Sequence, residues 1–123
     1  MNRLPIYFLV IVILVFIVGC MSLTPKQFVE TFPTMTQSKY YGSVEANDAI
    51  SNGECKLLIK DRKYTAPIGL TARGDAQNGA TGVDEWVKTD KGNSYAINNF
   101  EWISVGDQGN TQLIVYFNTM FCN

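Results

Sequence analysis

"TQLIVYFNTMFC", residues 111–122, decides how this chain folds. Its alternate positions are apolar on both sides, with Leu113, Val115 and Phe117 set against Ile114, Tyr116 and Met120. A strand with one wet face alternates apolar and polar residues. One that is apolar on both faces belongs inside a sheet, covered above and below. The stretch is therefore expected to be a central strand, and the rest of the chain must supply its neighbours and its covers.

Working back from it, "VDEWVKT" (83–89), "SYAI" (94–97) and "NFEWISV" (99–105) read as further strands, separated by "DKGN" and "GDQGN". Lys91-Gly92 suits a hairpin with the glycine in the left-handed region. "CKLLIK" (55–60) sets Cys55, Leu57 and Ile59 against Lys56 and Lys60. "DR" then reads as a tight turn and "KYTAPIGL" (63–70) as the returning strand, which Pro67 restricts to an edge or a bulge. "TARGDAQNGATG" (71–82) carries three glycines and reads as a long loop, of a length that is often functional.

Two short helices precede the strands. In "LTPKQFVETFP" (23–33), Thr24 can cap, Pro25 suits the first helical position and Gln27 completes a capping box. Phe28, Val29 and Phe32 share one side, and docking of that side on the domain core is expected over contact with a membrane. "SVEANDAISNGE" (43–54) offers Val44, Ala46, Ala49 and Ile50 on a second helix, stopped by Asn52-Gly53. The expected fold is α+β: one or two short N-terminal helices packed on one face of an antiparallel β-meander.

The chain has 123 residues, enough for one domain, and a net charge of −1. It has no basic face that would suit nucleic acid. Histidine is absent. That removes the commonest general base and metal ligand, together with any triad built on histidine. No cofactor motif is present.

Residues 4–18 are apolar throughout apart from the amphipathic Tyr7, and Arg3 is the one charged side chain before them. Fifteen residues are short for a spanning helix, which needs roughly 20, and fit the apolar region of a secretory signal. The run ends in Ile17-Val18-Gly19-Cys20, which resembles the lipobox of bacterial lipoproteins: a branched apolar residue three before the cysteine and a small residue directly before it. The resemblance covers about the first twenty residues. It implies cleavage after residue 19, acylation of Cys20, and a single domain of residues 20–123 tethered to the lipid bilayer of the cell envelope. Met21-Ser22 in place of an Asp after the cysteine implies the outer membrane rather than the inner. An uncleaved anchor running from Leu4 to Leu23 is the alternative.

Cys55 and Cys122 remain as an even pair in a chain bound for an oxidising compartment. Their bridge would tie the first strand to the last across 66 intervening residues, worth about 4 kcal/mol in the chain-entropy model.

No stretch carries a catalytic motif, and a non-enzymatic role is expected. Asp84-Glu85 beside Trp86, and Glu101 beside Trp102, are the carboxylates a glycan hydrolase would use. Strand alternation, however, keeps Asp84 and Glu85 on opposite faces. "DAQNGATGVDE" (75–85) lacks the glycine and glutamate positions of a calcium loop. Tyr40, Tyr41, Asp75 and Asn78 are candidates for contact with a protein partner, since tyrosine is favoured on such surfaces. Binding another protein or stabilising an assembly in the envelope is the leading expectation. The alternative is an inhibitor or immunity-type lipoprotein against a cell-wall hydrolase, phage or toxin, with 71–82 as its inserting loop. A carboxylate-dependent glycan hydrolase is the third reading.

Overall fold

The computed structural model of the protein describes residues 24–106 and 110–123. Cys20, the segment before it and Met21-Ser22 lie outside the described residues. Helix α1 spans Pro25–Thr31 and runs into a 3-10 turn at Phe32–Met35. Strand β1 (Lys39–Tyr41), helix α2 (Ser43–Ser51), strand β2 (Cys55–Thr65), helix α3 (Ala72–Thr89) and strands β3 (Ser94–Val105) and β4 (Asn110–Cys122) follow. The fold is α+β.

The start of α1 is built as its residues require. The Thr24 hydroxyl accepts from the Gln27 amide at 3.2 Å, and the Gln27 side chain accepts from the Thr24 amide at 3.0 Å. Phe28 and Phe32 are buried in the core, while Val29 stays exposed.

The sheet order is β1-β3-β4-β2. Strand β4 is central, as its two apolar faces demand. One face carries Tyr95 and Ile97 of β3 beside Leu113, Val115 and Phe117 of β4, covered by α1 and by Ala76, Ala80, Val83 and Val87 of α3. The other carries Ala96, Met120 and Cys122, covered at one end by Ala46 and Ala49 of α2. Helices therefore lie on both faces, where one face was expected.

Three further expectations are corrected. The sheet is mixed, because β1 runs parallel to β3, with Tyr40 opposite Tyr95. "DR" is no turn: β2 continues through it as one strand of 11 residues. Asp61 takes φ 57° at a bulge there. "SYAI" and "NFEWISV" are likewise a single strand, bulged between Ile97 and Asn99. The two bulges flank Asn118 of β4, whose side-chain oxygen accepts from the Asp61 amide and from the Asn98 side chain. Polar side chains at 98 and 118 thus hold what looked like breaks in the strands.

The largest correction is α3. Residues 71–82 and 83–89, expected as loop and strand, form one helix of 18 residues. Thr71 caps it, accepting from the Gly74 amide at 3.0 Å. Glycines 79 and 82 face the sheet. A Cβ on Gly79 would stand 3.0 Å from Leu113 and Phe32, and one on Gly82 would stand 1.9 Å from the Tyr64 ring. The small residues let the helix approach the strands closely, and that packing outweighs their poor propensity. Lys91, not Gly92, takes the left-handed conformation, at φ 61°. It ends α3 in a Schellman motif with Gly92 N donating to Val87 O and Lys91 N to Lys88 O. The turn leads from helix to strand and joins no hairpin.

The expected disulfide is present. Cys55 and Cys122 sit directly opposite in register and their sulfurs are 2.03 Å apart.

Candidate functional site

The four candidate partner residues are not brought together. Tyr40 is exposed, with its ring 5.7 Å from that of Tyr95. Tyr41 points to the opposite face and is buried under α2. Asp75 is buried, and its carboxylate accepts from the Gly69 amide at 2.7 Å. The Asn78 side chain donates to Pro67 O at 3.1 Å. Asp75 and Asn78 are therefore holders: from the first two turns of α3 they clamp the connection running from Ala66 to Leu70. That clamping presents Ile68 and Leu70 to solvent, Leu70 fully exposed.

The carboxylates do not converge either. Asp84 is occupied as a backbone cap, accepting from the amides of Gln37 at 2.8 Å and Ser38 at 3.0 Å. Glu85 is exposed on α3. Glu101 lies across the sheet, opposite Ile114, and accepts from the Tyr116 hydroxyl at 2.6 Å, which raises the Tyr116 pKa. The sheet thus separates Glu101 from the other two. Trp86 and Trp102 also have different surroundings. The Arg62 guanidinium lies over Trp86 at 3.9 Å, while Trp102 meets Phe28 edge-on at 5.2 Å.

Sequence reasoning missed one of the most engaged polar groups. Asp90 caps the end of α3 and receives both Arg62 Nε, at 2.9 Å, and a second guanidinium nitrogen. The Thr119 hydroxyl donates to it at 2.7 Å. The bond from Arg62 holds the Asp90 carboxyl below its usual pKa, and Thr119 adds to this. The cluster fastens α3 to β2 and β4. Among the described residues no buried side-chain nitrogen or oxygen lacks a partner, and no three metal-ligating side chains cluster.

Two of the open surfaces among the described residues concern binding. One is the half of the sheet beyond α2, where Lys63, Thr65 and Glu101 are exposed beside the half-buried Tyr116. The other is a mostly apolar groove of about 420 Å³ between α1 and β3, walled by Pro25, Phe28, Val29, Ala72, Phe100 and Trp102. A second concavity adjoins it, sharing Ala72 and Trp102 and adding Ile68 and Leu70. Among the described residues no helix is long and apolar enough to cross a membrane. Compared with protein-family models, curated proteins and solved structures, the chain matches none.

Proposed function

We propose that this chain is a lipid-anchored lipoprotein of the bacterial cell envelope, held by acylated Cys20 and acting by binding another envelope protein rather than by catalysis. The observation that carries the anchoring is "IVGC" at residues 17–20, closing an apolar run of fifteen residues. Cys55 and Cys122 pair with each other, which leaves Cys20 without a disulfide partner in the chain. Several acyl chains, at roughly 0.8 kcal/mol per buried methylene, give lasting attachment. Met21-Ser22 favour the outer membrane as the destination.

The open half of the sheet is the surface for the protein partner. It is a strand face centred on the Tyr116 ring, a type of side chain favoured in protein contacts. Pairing through β1 or β2 is disfavoured. Strand β1 has three residues, and β2 is bulged and carries Lys56, Lys60 and Lys63. For an inhibitor, the stretch 71–82 offers no inserting loop, since it is helical from Ala72.

Cys20→Ala in the intact chain tests the anchor. Labelling by a palmitate analogue and membrane attachment should both disappear. Attachment that persists unchanged, with residues 1–19 still present, makes the segment an uncleaved anchor instead. In the same cells a photocrosslinking side chain at Lys63 or Thr65 should capture one protein of discrete mass, and one at Lys88 on the outer side of α3 should not. No crosslink from the sheet face would remove the protein-binding role.

A further inference from the structure

The apolar groove and the loop beside it lie at the point where the anchored end of the chain enters the domain. Pro25 both begins α1 and walls the groove. Cys20 is five residues earlier, a reach of at most about 18 Å at 3.3–3.6 Å per residue. A bilayer holding Cys20 is therefore within about two helix diameters of this surface.

The surface has the chemistry of an interfacial contact. Val29 is 50% exposed, Ile68 46% and Trp102 42%, and Leu70 has no cover at all. These four side chains come from α1, from the loop before α3 and from β3, and they meet around Ala72 and Trp102. The loop is not loosely placed. The Asp75 carboxylate holds the Gly69 amide, and a Cβ on Gly69 would stand 2.7 Å from the Asp75 nitrogen, so the backbone just before Leu70 packs closely on the start of α3. Lys26 and Arg73, next in sequence to Pro25 and Ala72, are both exposed. Tryptophan at the headgroup level, aliphatic side chains below it and cations at the rim are what an anionic bilayer surface favours.

We infer that Val29, Ile68, Leu70 and Trp102 form a bilayer-contact face, which seats the domain on the membrane that carries its anchor and so turns the open half of the sheet toward its protein partner. The inference rests on the anchoring proposed above. It fixes the orientation of the domain: Trp102 enters the interface, while Trp86 remains in water. Trp86 is fourteen residues beyond Ala72 on α3, about 21 Å along the helix axis.

The test uses the full chain, processed in a bacterial host and reconstituted in phosphatidylcholine–phosphatidylglycerol vesicles with or without lipid brominated at shallow acyl positions. Burial to about 5–10 Å places Trp102 within reach of the bromine, so its emission should fall by about half. The quenching should vanish in Trp102→Phe and persist in Trp86→Phe. Val29→Glu with Leu70→Glu alters only exposed side chains and should restore the emission while palmitate labelling stays at the wild-type level. Equal Trp102 emission with and without bromine overturns the contact face, even when labelling shows Cys20 acylated. Loss of labelling overturns the lipid anchor alone, because a retained apolar segment still carries the chain into the vesicles and the quenching still reports on the face. Shielding of Trp102 that follows protein density and ignores bromine assigns the face to a second copy, and also overturns the inference.

Discussion

Asp90 shows how one side chain can hold three elements. It ends α3, takes the Arg62 fork from β2 and the Thr119 hydroxyl from β4, and its side chain is only 6% exposed. The guanidinium is itself pressed on Trp86. Because the bond from Arg62 lowers the Asp90 pKa below its ordinary 3.8, the cluster stabilises the fold fully above about pH 4. That stability is lost as pH falls through the lowered value. Asp90→Asn keeps the shape and removes the charge, leaving a half-buried guanidinium without its counter-ion, at a cost of about 1–3 kcal/mol. Urea midpoints at pH 7 should show the full difference between wild type and variant, and at pH 2 the difference should shrink. An equal difference at both pH values would mean that the charge contributes nothing.

Helix α3 was the least legible element, for a definable reason. Glycines 74, 79 and 82 each cost roughly 1 kcal/mol in a helix, so propensity alone favours a loop. The opposing signal lies in spacing: Ala72, Ala76, Gly79, Ala80, Val83 and Val87 recur at three and four residues, and all but Ala72 are buried. A stripe of such small residues has little hydrophobic weight in the sequence. Its meaning appears only with Tyr64, Leu113 and Val115 set against it. The glycines accordingly divide by what faces them. Gly82→Ala drives a methyl into the Tyr64 ring and should cost about 1–3 kcal/mol. Gly74→Ala meets Thr71 Oγ1 at 3.4 Å and Gly69 Cα at 3.7 Å, ordinary contacts, and should add about 0.4–1 kcal/mol. Thermal midpoints should move in opposite directions. If both rise, helix propensity rather than close approach governs this face.

The sheet was readable at its centre and not at its margins. Strand β4 announced itself through two apolar faces, and Cys55 and Cys122 through their even count. Strand β1, with three residues, has no period to detect, and its parallel pairing with Ser94–Ala96 follows from tertiary packing alone. The apolar groove was equally hidden, since Val29, Leu70 and Trp102 gain their meaning only when distant segments meet. The disulfide links the legible and hidden parts. It joins the start of edge strand β2 to the end of central β4, directly beneath α2, in a cluster with Tyr41, Ala46, Ala49 and Met120. Helix α3 packs on the other face, against Phe28, Leu113 and Phe117. Cys55→Ser with Cys122→Ser should therefore lower stability by about 2–4 kcal/mol, by releasing the unfolded chain from a long closed loop. In the native state its effect should be local. Amide exchange should accelerate most in α2 and at residues 119–122, while Ala76, Ala80 and Val83 exchange at a rate set by global unfolding. Uniform acceleration in both helices would show that the two faces unfold as one unit, and that the bridge acts through the unfolded chain alone.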